Sequence, residues 1–259
     1  MPHIENRATV IELAHLNKQF LSRGSQVKVL CDISLQIGTA EFVAFVGPSG
    51  CGKTTLLKIV AGLIPASTGQ ILVNGEPVLT PGADRGIVFQ DFSLFPWLTV
   101  RQNIAFGLSL RNINRRAIQE KVDYYLSRFG LSKFESFYPA EISGGMQQRV
   151  AIARTLANDP RILLLDEPFG SLDAYTRTAM QDFLLDIVCD LDKTILFVTH
   201  DIAEAVYLAD RVIVLSNSPA RIITEIPVDL ERPRSRSQIY GQQFQSLVKH
   251  IHDVAEQWQ

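Results

Sequence analysis

The feature that most constrains this chain is a glycine-rich stretch that joins a short apolar run to a helical pattern. Residues 47–54 read Gly-Pro-Ser-Gly-Cys-Gly-Lys-Thr and fit the spacing G-x-x-x-x-G-K-S/T. Residues 41–46 before it are mainly apolar, and residues 56–61 after it suit a helix. Glycines let the backbone approach an anion, and a helix N-terminus carries about half a positive charge. This order predicts a phosphate-binding loop, in which Lys53 reaches the terminal phosphates and Thr54 binds Mg²⁺.

A second motif narrows the chemistry, because an aliphatic run at 162–165 is followed directly by Asp166 and Glu167. Four consecutive aliphatic residues predict a fully buried parallel strand, whose carboxyl end belongs on the same edge as a phosphate loop. We expect Asp166 to hold Mg²⁺, directly or through water. We expect Glu167 to polarise the water that attacks the γ-phosphate. The alternative is an acidic pair that only caps an unrelated strand.

Three further residues are candidates because of their positions. His200 ends the apolar run 194–199, where a side chain could contact a γ-phosphate. Gln90 closes another apolar run and could reach the metal or the attacking water; the alternative is an ordinary surface amide. Asp173 follows the acidic pair by six residues and, taken alone, indicates a turn residue or a helix cap. A structural histidine is the alternative for His200.

A segment between these motifs, Ile-Ser-Gly-Gly-Met-Gln-Gln-Arg at 142–149, gives the set a family resemblance. With it, the chain resembles the ATP-binding subunits of ATP-binding cassette (ABC) transporters over essentially its whole length. The resemblance implies that 142–149 is the family signature and that ATP and Mg²⁺ are the cofactors. Two positions depart from the usual signature, Ile142 for Leu and Met146 for Gln. Phe20 stands where the base-stacking aromatic is commonly Tyr, with a plain core aromatic as the alternative.

The resemblance assigns roles to individual residues of this chain. The implied nucleotide contacts are Phe20, Gly47, Pro48, Ser49, Gly50, Cys51, Gly52, Lys53, Thr54, Thr55, Ser143, Gly144, Gly145 and Asp173. The implied catalytic residues are Glu167, His200 and Gln90, and the implied metal ligands are Thr54, Gln90 and Asp166. Ser143 and the glycine amides act in trans in the family, on the ATP of a second cassette.

The resemblance also implies partners, because one chain carries one phosphate loop and one signature. It predicts an obligate pair, with a homodimer expected first and two related cassettes as the other possibility. Residues 81–90, 94–100 and 230–234 look like those of cassettes that import nitrate, sulfonates, taurine and related anions. The expected partners are integral-membrane permease subunits and, indirectly, a solute-binding protein. The alternative is a soluble ABC ATPase that remodels a cytosolic complex.

Composition agrees with these expectations and limits the classes of partner. The chain has 259 residues, 46% hydrophobic residues and a net charge of −2, without a basic tract, so we expect no nucleic-acid partner. No apolar stretch approaches the roughly 20 residues of a membrane span, and no signal peptide is recognised. We therefore expect a peripheral protein on the cytoplasmic face of a bacterial inner membrane. The three cysteines, Cys31, Cys51 and Cys189, lack metal-binding spacing, which favours reduced thiols.

The predicted fold is α/β, with a P-loop NTPase core around a mainly parallel sheet, an N-terminal antiparallel β subdomain and an inserted α-helical subdomain. We assign 1–90 and 159–220 to the core and its antiparallel part, 91–158 to the helical subdomain and 221–259 to a helical tail. The predicted parallel strands lie near 42–46, 86–89, 162–165, 195–199 and 211–215. The antiparallel part rests on alternation at Ile33, Leu35 and Ile37.

Two helices and one loop complete the prediction. Residues 115–129 form a charged amphipathic pattern that Gly130 would end. The tail helix has apolar residues at three- and four-residue steps, which are Tyr240, Phe244, Leu247, Ile251, Val254 and Trp258. The loop 92–98 after Gln90 is unusually aromatic, and the family resemblance makes Phe95 and Trp97 candidates for contact with a membrane subunit. Burial of these aromatics inside the helical subdomain is the alternative.

Overall fold

The structure is a computed structural model, and it describes residues 7–22, 24–189 and 192–256. Contacts divide the chain into two compact units, residues 1–82 with 184–259, and residues 83–183. The predicted helical subdomain, 91–158, falls within the second unit. Trp258 of the predicted tail helix lies outside the described residues.

The first unit contains an antiparallel sheet near the N-terminus. Its strands are β1 (Thr9–Ser22), β2 (Ser25–Gly38), β4 (Thr68–Val73) and β5 (Glu76–Pro77), in the order β2-β1-β4-β5. Ile33, Leu35 and Ile37 are all buried on one face of β2, which confirms the predicted alternation. Burial of each such side chain stabilises the fold by about 1.5–3 kcal/mol.

A mainly parallel set of strands follows in the same unit. β3 (Phe42–Val46) pairs in parallel with both β8 (Thr194–Thr199) and β9 (Arg211–Leu215), and β10 (Ile222–Pro227) pairs antiparallel with β9. Every residue of β3 and β8 is buried, as expected for strands covered on both faces. The helices here are α1 (Lys53–Val60), α6 (Ile202–Leu208) and α7 (Gln242–Ala255).

The second unit combines one parallel strand pair with helices. β6 (Arg85–Val88) pairs with β7 (Ile162–Asp166), with Val88 opposite Leu165. The helices are α2 (Val100–Ser109), α3 (Arg115–Arg128), α4 (Gly144–Leu156) and α5 (Ala174–Cys189); the division between the units falls within α5. Asn114 caps the start of α3, and Gly130 follows its end at φ 66°, as the sequence predicts.

The tail helix is where the sequence prediction needs correction. Phe244 and Ile251 are buried on α7, which packs against α6. Tyr240, however, precedes the helix in a short 3-10 turn (Arg236–Tyr240) and is 86% exposed, so it does not belong to the packed face. Gly241 separates the turn from α7, which breaks the periodicity that included Tyr240. In the part of the chain that the structure describes, no helix combines the length and apolarity of a membrane span.

Candidate functional site

The glycine-rich loop of the first unit lies between β3 and α1, as predicted. Gly50 has φ 78° and Gly52 has φ 126°, conformations that favour glycine. A Cβ on Gly52 would lie 2.9 Å from Leu30 Cδ2 and 3.1 Å from Val29 O, so the loop passes close against β2. Gly52 directly precedes α1 and has no side chain that could accept hydrogen bonds from the first amides of the helix. The first amides of α1 can therefore serve a phosphate.

Lys53 is folded into this loop. Its ammonium donates to the carbonyl of Gly47 at 2.8 Å and to that of Pro48 at 3.0 Å, and the side chain is 4% exposed. These two hydrogen bonds hold the ammonium group within the loop, where a terminal phosphate would be a further acceptor. Cys51 in the same loop is 1% exposed, so its thiol is shielded in this arrangement.

His200 leaves the carboxyl end of β8, and the backbone around it is fixed by neighbouring polar groups. The Thr199 hydroxyl donates to Glu204 at 2.5 Å and accepts from the Asp201 amide at 3.0 Å. Asp201 caps α6 by accepting from the Glu204 amide at 3.0 Å. His200 itself is exposed at this strand end. A γ-phosphate role fits this placement, since the residue follows a rigid strand end and is accessible to a ligand.

Phe20 lies on the hairpin between β1 and β2, opposite Val27. The ring is 41% exposed, so it is not a core aromatic. Lys18 lies under it, with Nζ 4.7 Å from the ring centroid, and donates to the Pro65 carbonyl at 2.7 Å. Because Val29, two residues beyond Val27 on β2, touches the Gly52 position, the exposed aromatic lies on the hairpin that borders the phosphate loop.

This arrangement predicts an effect on nucleotide affinity. Because loss of base–aromatic stacking costs about 1–3 kcal/mol, Phe20→Ala is expected to raise the KM for ATP about fivefold to a hundredfold, with kcat within about twofold. Phe20→Tyr keeps the ring face and is expected to retain the KM. Steady-state ATPase assays over a range of ATP concentrations test both variants. An unchanged KM in Phe20→Ala would contradict a stacking role.

The second unit brings together two of the predicted catalytic side chains. Asp166 ends β7 and is 5% exposed, while Glu167 follows at φ 43°. A Cβ on Gly170 would lie 3.5 Å from Gln90 Nε2 and 3.7 Å from Glu167 Oε2, so the amide and the carboxylate both lie near this glycine. Both side chains follow the carboxyl ends of paired strands. The acidic pair therefore does not cap an isolated strand, and the exposed Gln90 lies near the same glycine as Glu167.

The predicted signature opens α4. Ser143 is the N-cap, and its hydroxyl accepts from the Met146 amide at 3.4 Å. Ser143 is exposed, whereas Ile142 before it is buried, which explains why an aliphatic side chain suffices there. A Cβ on Gly145 would lie 2.6 Å from Thr176 Cγ2, so glycine is needed for close packing of α4 on the start of α5.

Asp173 acts as a helix cap, one of the two possibilities that the sequence leaves open. Its carboxylate accepts from the amides of Tyr175 at 3.1 Å and Thr176 at 3.0 Å. Hydrogen bonds from the Thr176 side chain and amide lower the pKa of Asp173, so the cap is formed at neutral pH and weakens only as the pH falls through that lowered pKa. Asp173 is exposed, so this role leaves it accessible to a second cassette.

The aromatic loop after Gln90 borders a cavity of about 640 Å³ within the second unit. Buried Asn103 orders the loop by accepting from the Phe95 amide at 2.9 Å and donating to the carbonyls of Phe95 and Leu98. Phe95 stacks 4.3 Å from Phe106, and both line the cavity. Trp97 is 70% exposed and Phe95 is half-buried, so Trp97 is not buried inside the helices.

A phosphate loop occurs in several families of nucleotide-binding proteins, and comparison with protein families identifies the one to which this chain belongs. The sequence model described as ABC transporter matches residues 30–170, which include the phosphate loop, Gln90, the signature and the acidic pair. The chain belongs to the ABC transporter family. It is therefore an ATP-binding, ATP-hydrolysing cassette, and the predicted resemblance is confirmed.

Curated relatives extend the likeness over most of this ABC cassette. The nitrate import ATP-binding protein NrtD of Synechocystis is 48% identical over 231 residues, covering 88% of this chain and 87% of its own. The aliphatic sulfonates import ATP-binding protein SsuB of Bacillus licheniformis is 50% identical over 223 residues, covering 86% of each chain. An uncharacterized ABC transporter ATP-binding protein of Methanocaldococcus jannaschii is 49% identical over 241 residues, 93% of this chain and 90% of that protein.

Solved structures confirm the predicted fold class. An ATP-binding cassette in a dimeric post-hydrolysis state with ADP and phosphate has a TM-score of 0.75 and 29% identity, covering 85% of this chain and 100% of that one. CbiO1 of Clostridium perfringens, part of the ABC transporter complex cbiONQ, has a TM-score of 0.77 and 25% identity, covering 96% of this chain and 98% of that one.

The donor set of the cassette fits Mg²⁺ carried with a nucleotide better than a metal held by protein alone. Among the described residues, no group of three or more His, Cys, Asp or Glu side chains forms a metal cage. Asp166 instead offers one buried carboxylate at a strand end, and Mg²⁺ is typically bound by one or two carboxylates with substrate phosphates.

Three residues that contact site residues or order the adjacent loop escaped the sequence analysis, namely Lys18, Asn103 and Arg154. Lys18 supports the ring of Phe20, Asn103 orders the aromatic loop, and Arg154 contacts that loop from α4. The one available signal was a polar residue within an apolar segment, as at Arg154 after Val150-Ala151-Ile152-Ala153. A charged side chain in an apolar segment needs a hydrogen-bonding or charged partner, because burial of an unpaired charge is unfavourable. The sequence does not identify that partner.

Proposed function

We propose that this cassette is the ATP-hydrolysing subunit of a membrane importer that takes up a small anion such as nitrate, a sulfonate or taurine. The likeness to NrtD and SsuB over more than four fifths of the chain supports import of this substrate class. The observation that carries the catalytic part is the position of Gln90 and Glu167, which both lie near Gly170. A relative in a transporter complex supports a membrane setting over a soluble remodelling role.

The working unit in this proposal is a pair of cassettes, with a second copy of this chain as the first expectation. Each chain has one phosphate loop and one signature, so two chains complete two sites. Exposed Ser143 and the amides that begin α4 would contact the γ-phosphate bound by the partner, together with Gly144 and Gly145. A triphosphate between the cassettes then favours the closed pair, and its hydrolysis removes that preference. The dimeric relative supports this assembly.

Each catalytic residue has a defined task in the proposed reaction. Lys53 and the first amides of α1 bind the phosphates and offset their charge. Glu167 orients and polarises the attacking water, and Gln90 positions that water or the metal. His200 contacts the γ-phosphate from the end of β8. Mg²⁺ supplies charge neutralisation at the phosphates when bound, and we assign Thr54, Gln90 and Asp166 to hold it.

The proposed membrane contact is the aromatic cavity of the second unit, occupied by a short helix of an integral-membrane permease. Its lining combines the rings of Phe89, Phe95 and Phe106 with the cations Arg111 and Arg154. An apolar helix with carbonyl or acidic acceptors at one end matches this mixture. The cassette would then lie peripherally on the cytoplasmic face of the membrane, with a solute-binding protein as an indirect partner. We retain 91–158 as the proposed helical subdomain, 1–90 with 159–220 as the core and 221–259 as the tail.

Affinity purification of the tagged cassette from its native membranes, followed by mass spectrometry, tests this proposal. We expect a polytopic permease and a solute-binding protein to be recovered together, and the binding protein would identify the anion. The paired substitution Phe95→Ala and Trp97→Ala is expected to lower permease recovery several-fold, because Phe95 lines the cavity and contacts the exposed ring of Trp97. Tyr124→Ala, at an aromatic of α3 that is 57% exposed, is the matched control. Recovery of only soluble partners would contradict an importer role.

A further inference from the structure

The backbone directly after Gln90 adopts an unfavourable conformation. Phe92 has φ 58° and Ser93 has φ 47°, both in the left-handed region, and neither is glycine. Each such residue costs about 1–3 kcal/mol and persists only where surrounding contacts hold it. The segment that sets the position of Gln90 therefore depends on an external support.

Arg154 of α4 provides that support. Its guanidinium donates to the carbonyl of Ser93 at 2.8 Å and to that of Phe92 at 3.1 Å. It also lies 5.3 Å from the ring centroid of Phe95. Both strained residues are thus held by one side chain through two parallel hydrogen bonds, a geometry that suits the planar fork of arginine and that lysine cannot reproduce.

The two hydrogen bonds of Arg154 differ in burial, because the bond to Phe92 is partly buried and the bond to Ser93 is exposed. The arginine is half-buried and follows three fully buried residues of α4, and this burial lowers the pKa of the guanidinium from its ordinary value. The bond to Phe92 gains most from this burial, because hydrogen bonds from a cation are stronger where water is scarce. At the other end of the loop, the Gln90 amide and the Glu167 carboxylate both lie within 3.7 Å of the position that a Cβ on Gly170 would occupy. One arginine therefore connects α4 with the side chain near the proposed catalytic carboxylate.

We propose that Arg154 is a positioning residue for ATP hydrolysis, which acts by holding the loop 91–95 so that Gln90 stays near Glu167. The inference rests on the proposed role of Gln90 in positioning the water or the metal. Arg154 itself touches neither nucleotide nor metal in this assignment. Its loss should therefore lower turnover through Gln90 and change nucleotide affinity little, because Lys53 and Phe20 are held by contacts that do not involve Arg154.

A double-mutant cycle on the full chain tests this inference by ATPase assays. We expect Arg154→Gln and Gln90→Ala each to lower kcat about tenfold with KM within about twofold, and the double variant to match Gln90→Ala within about twofold. Arg154→Lys keeps the charge without the fork and is expected to lower kcat less. If Arg154→Gln does not fold, Arg154→Lys takes its place in the cycle, with its melting temperature measured alongside.

The matched control is Arg149→Gln on the same helix. Arg149 is also a half-buried guanidinium, which stacks 4.5 Å from the ring centroid of Phe183 and donates to the Phe129 carbonyl at 3.3 Å, away from the loop. Its effect on kcat should add to that of Gln90→Ala. Additive effects of Arg154 and Gln90, or an unchanged kcat in folded Arg154→Gln, would overturn the inference. An unchanged kcat in Gln90→Ala would instead overturn the proposed role of Gln90.

Discussion

Replacing Glu167 with Gln is expected to abolish nearly all turnover while ATP remains bound. The substitution keeps the shape of a side chain that lies near Gly170, as Gln90 does, and it removes only the carboxylate that would polarise water. Loss of a positioned base lowers rates by about 10²–10⁴-fold. Affinity for ATP should be retained or increased, because a negative charge near the γ-phosphate disappears.

The Glu167→Gln experiment has two readouts, ATP hydrolysis and the oligomeric state. Phosphate release measures the loss of turnover, and light scattering with ATP measures the pair of cassettes. Because hydrolysis would no longer remove the triphosphate, the variant should accumulate as a dimer in ATP but not in ADP. Glu120→Gln is the control, since it removes an exposed carboxylate that pairs with Arg116 one turn earlier in α3. Turnover at the level of the unaltered chain would contradict the assignment of Glu167.

The parallel strands were predictable because burial on both faces leaves a strong compositional signal. In β7, Ile162 to Leu165 are all at most 1% exposed, and such continuous aliphatic runs are unusual outside buried elements. The phosphate loop was predictable for a different reason, which is that glycine is needed where α1 begins close to β2. Asp166 and Glu167 follow the aliphatic run of β7 directly, so their position at the carboxyl end of a strand could be predicted without knowledge of any distant contact.

The supporting residues could not be predicted in the same way, because each depends on one contact between distant parts of the chain. Arg154 bonds to a carbonyl 61 residues away, and Lys18 to one 47 residues away. A carbonyl has no sequence signature, so neither partner could be inferred from residue types. The left-handed backbone conformation at Phe92 and Ser93 could not be predicted either, because neither residue is a glycine.

Local chemistry also left choices that only the fold resolves. Asp173 can cap a helix or contact a second cassette, and the structure shows the cap while leaving the carboxylate exposed. Tyr240 matches the period of the tail helix, yet the 3-10 turn before Gly241 directs it to solvent. Periodicity predicts which residues share a face only within an uninterrupted helix, and a terminal turn changes the angle per residue.

Gly145→Ala is expected to lower ATP hydrolysis about a hundredfold, because a displacement of about 1 Å at a reacting group can have an effect of this size. The added methyl would meet Thr176 Cγ2 at 2.6 Å, so the start of α4 must move away from α5. Rotation of Thr176 away from the contact would also move its hydroxyl relative to Asp173, whose pKa this side chain lowers. The movement displaces Ser143 and the first amides of α4, which are the groups proposed to contact the partner's phosphate.

Stability alone would not reveal this effect. Overpacking costs about 1–3 kcal/mol, whereas alanine in a helix is favoured over glycine by about 1 kcal/mol, so the two contributions partly offset each other. The informative variant is Gly145→Ala combined with Thr176→Ser, which removes the clashing methyl and keeps the hydroxyl that bonds to Asp173. We expect the combination to recover most of the ATPase activity, and Thr176→Ser alone to resemble the unaltered chain.

The combined variant separates two reasons for glycine at this position. If packing of α4 on α5 decides, removal of one methyl from Thr176 restores turnover even though the Gly145→Ala substitution is still present. If instead the new side chain blocks the approach of the partner's phosphate, Thr176→Ser leaves ATP hydrolysis low. That second pattern would contradict the packing explanation. Rescue would show that glycine is required at position 145 for packing against Thr176 within the same chain. Approach of the partner's phosphate would then not be the reason for glycine at this position.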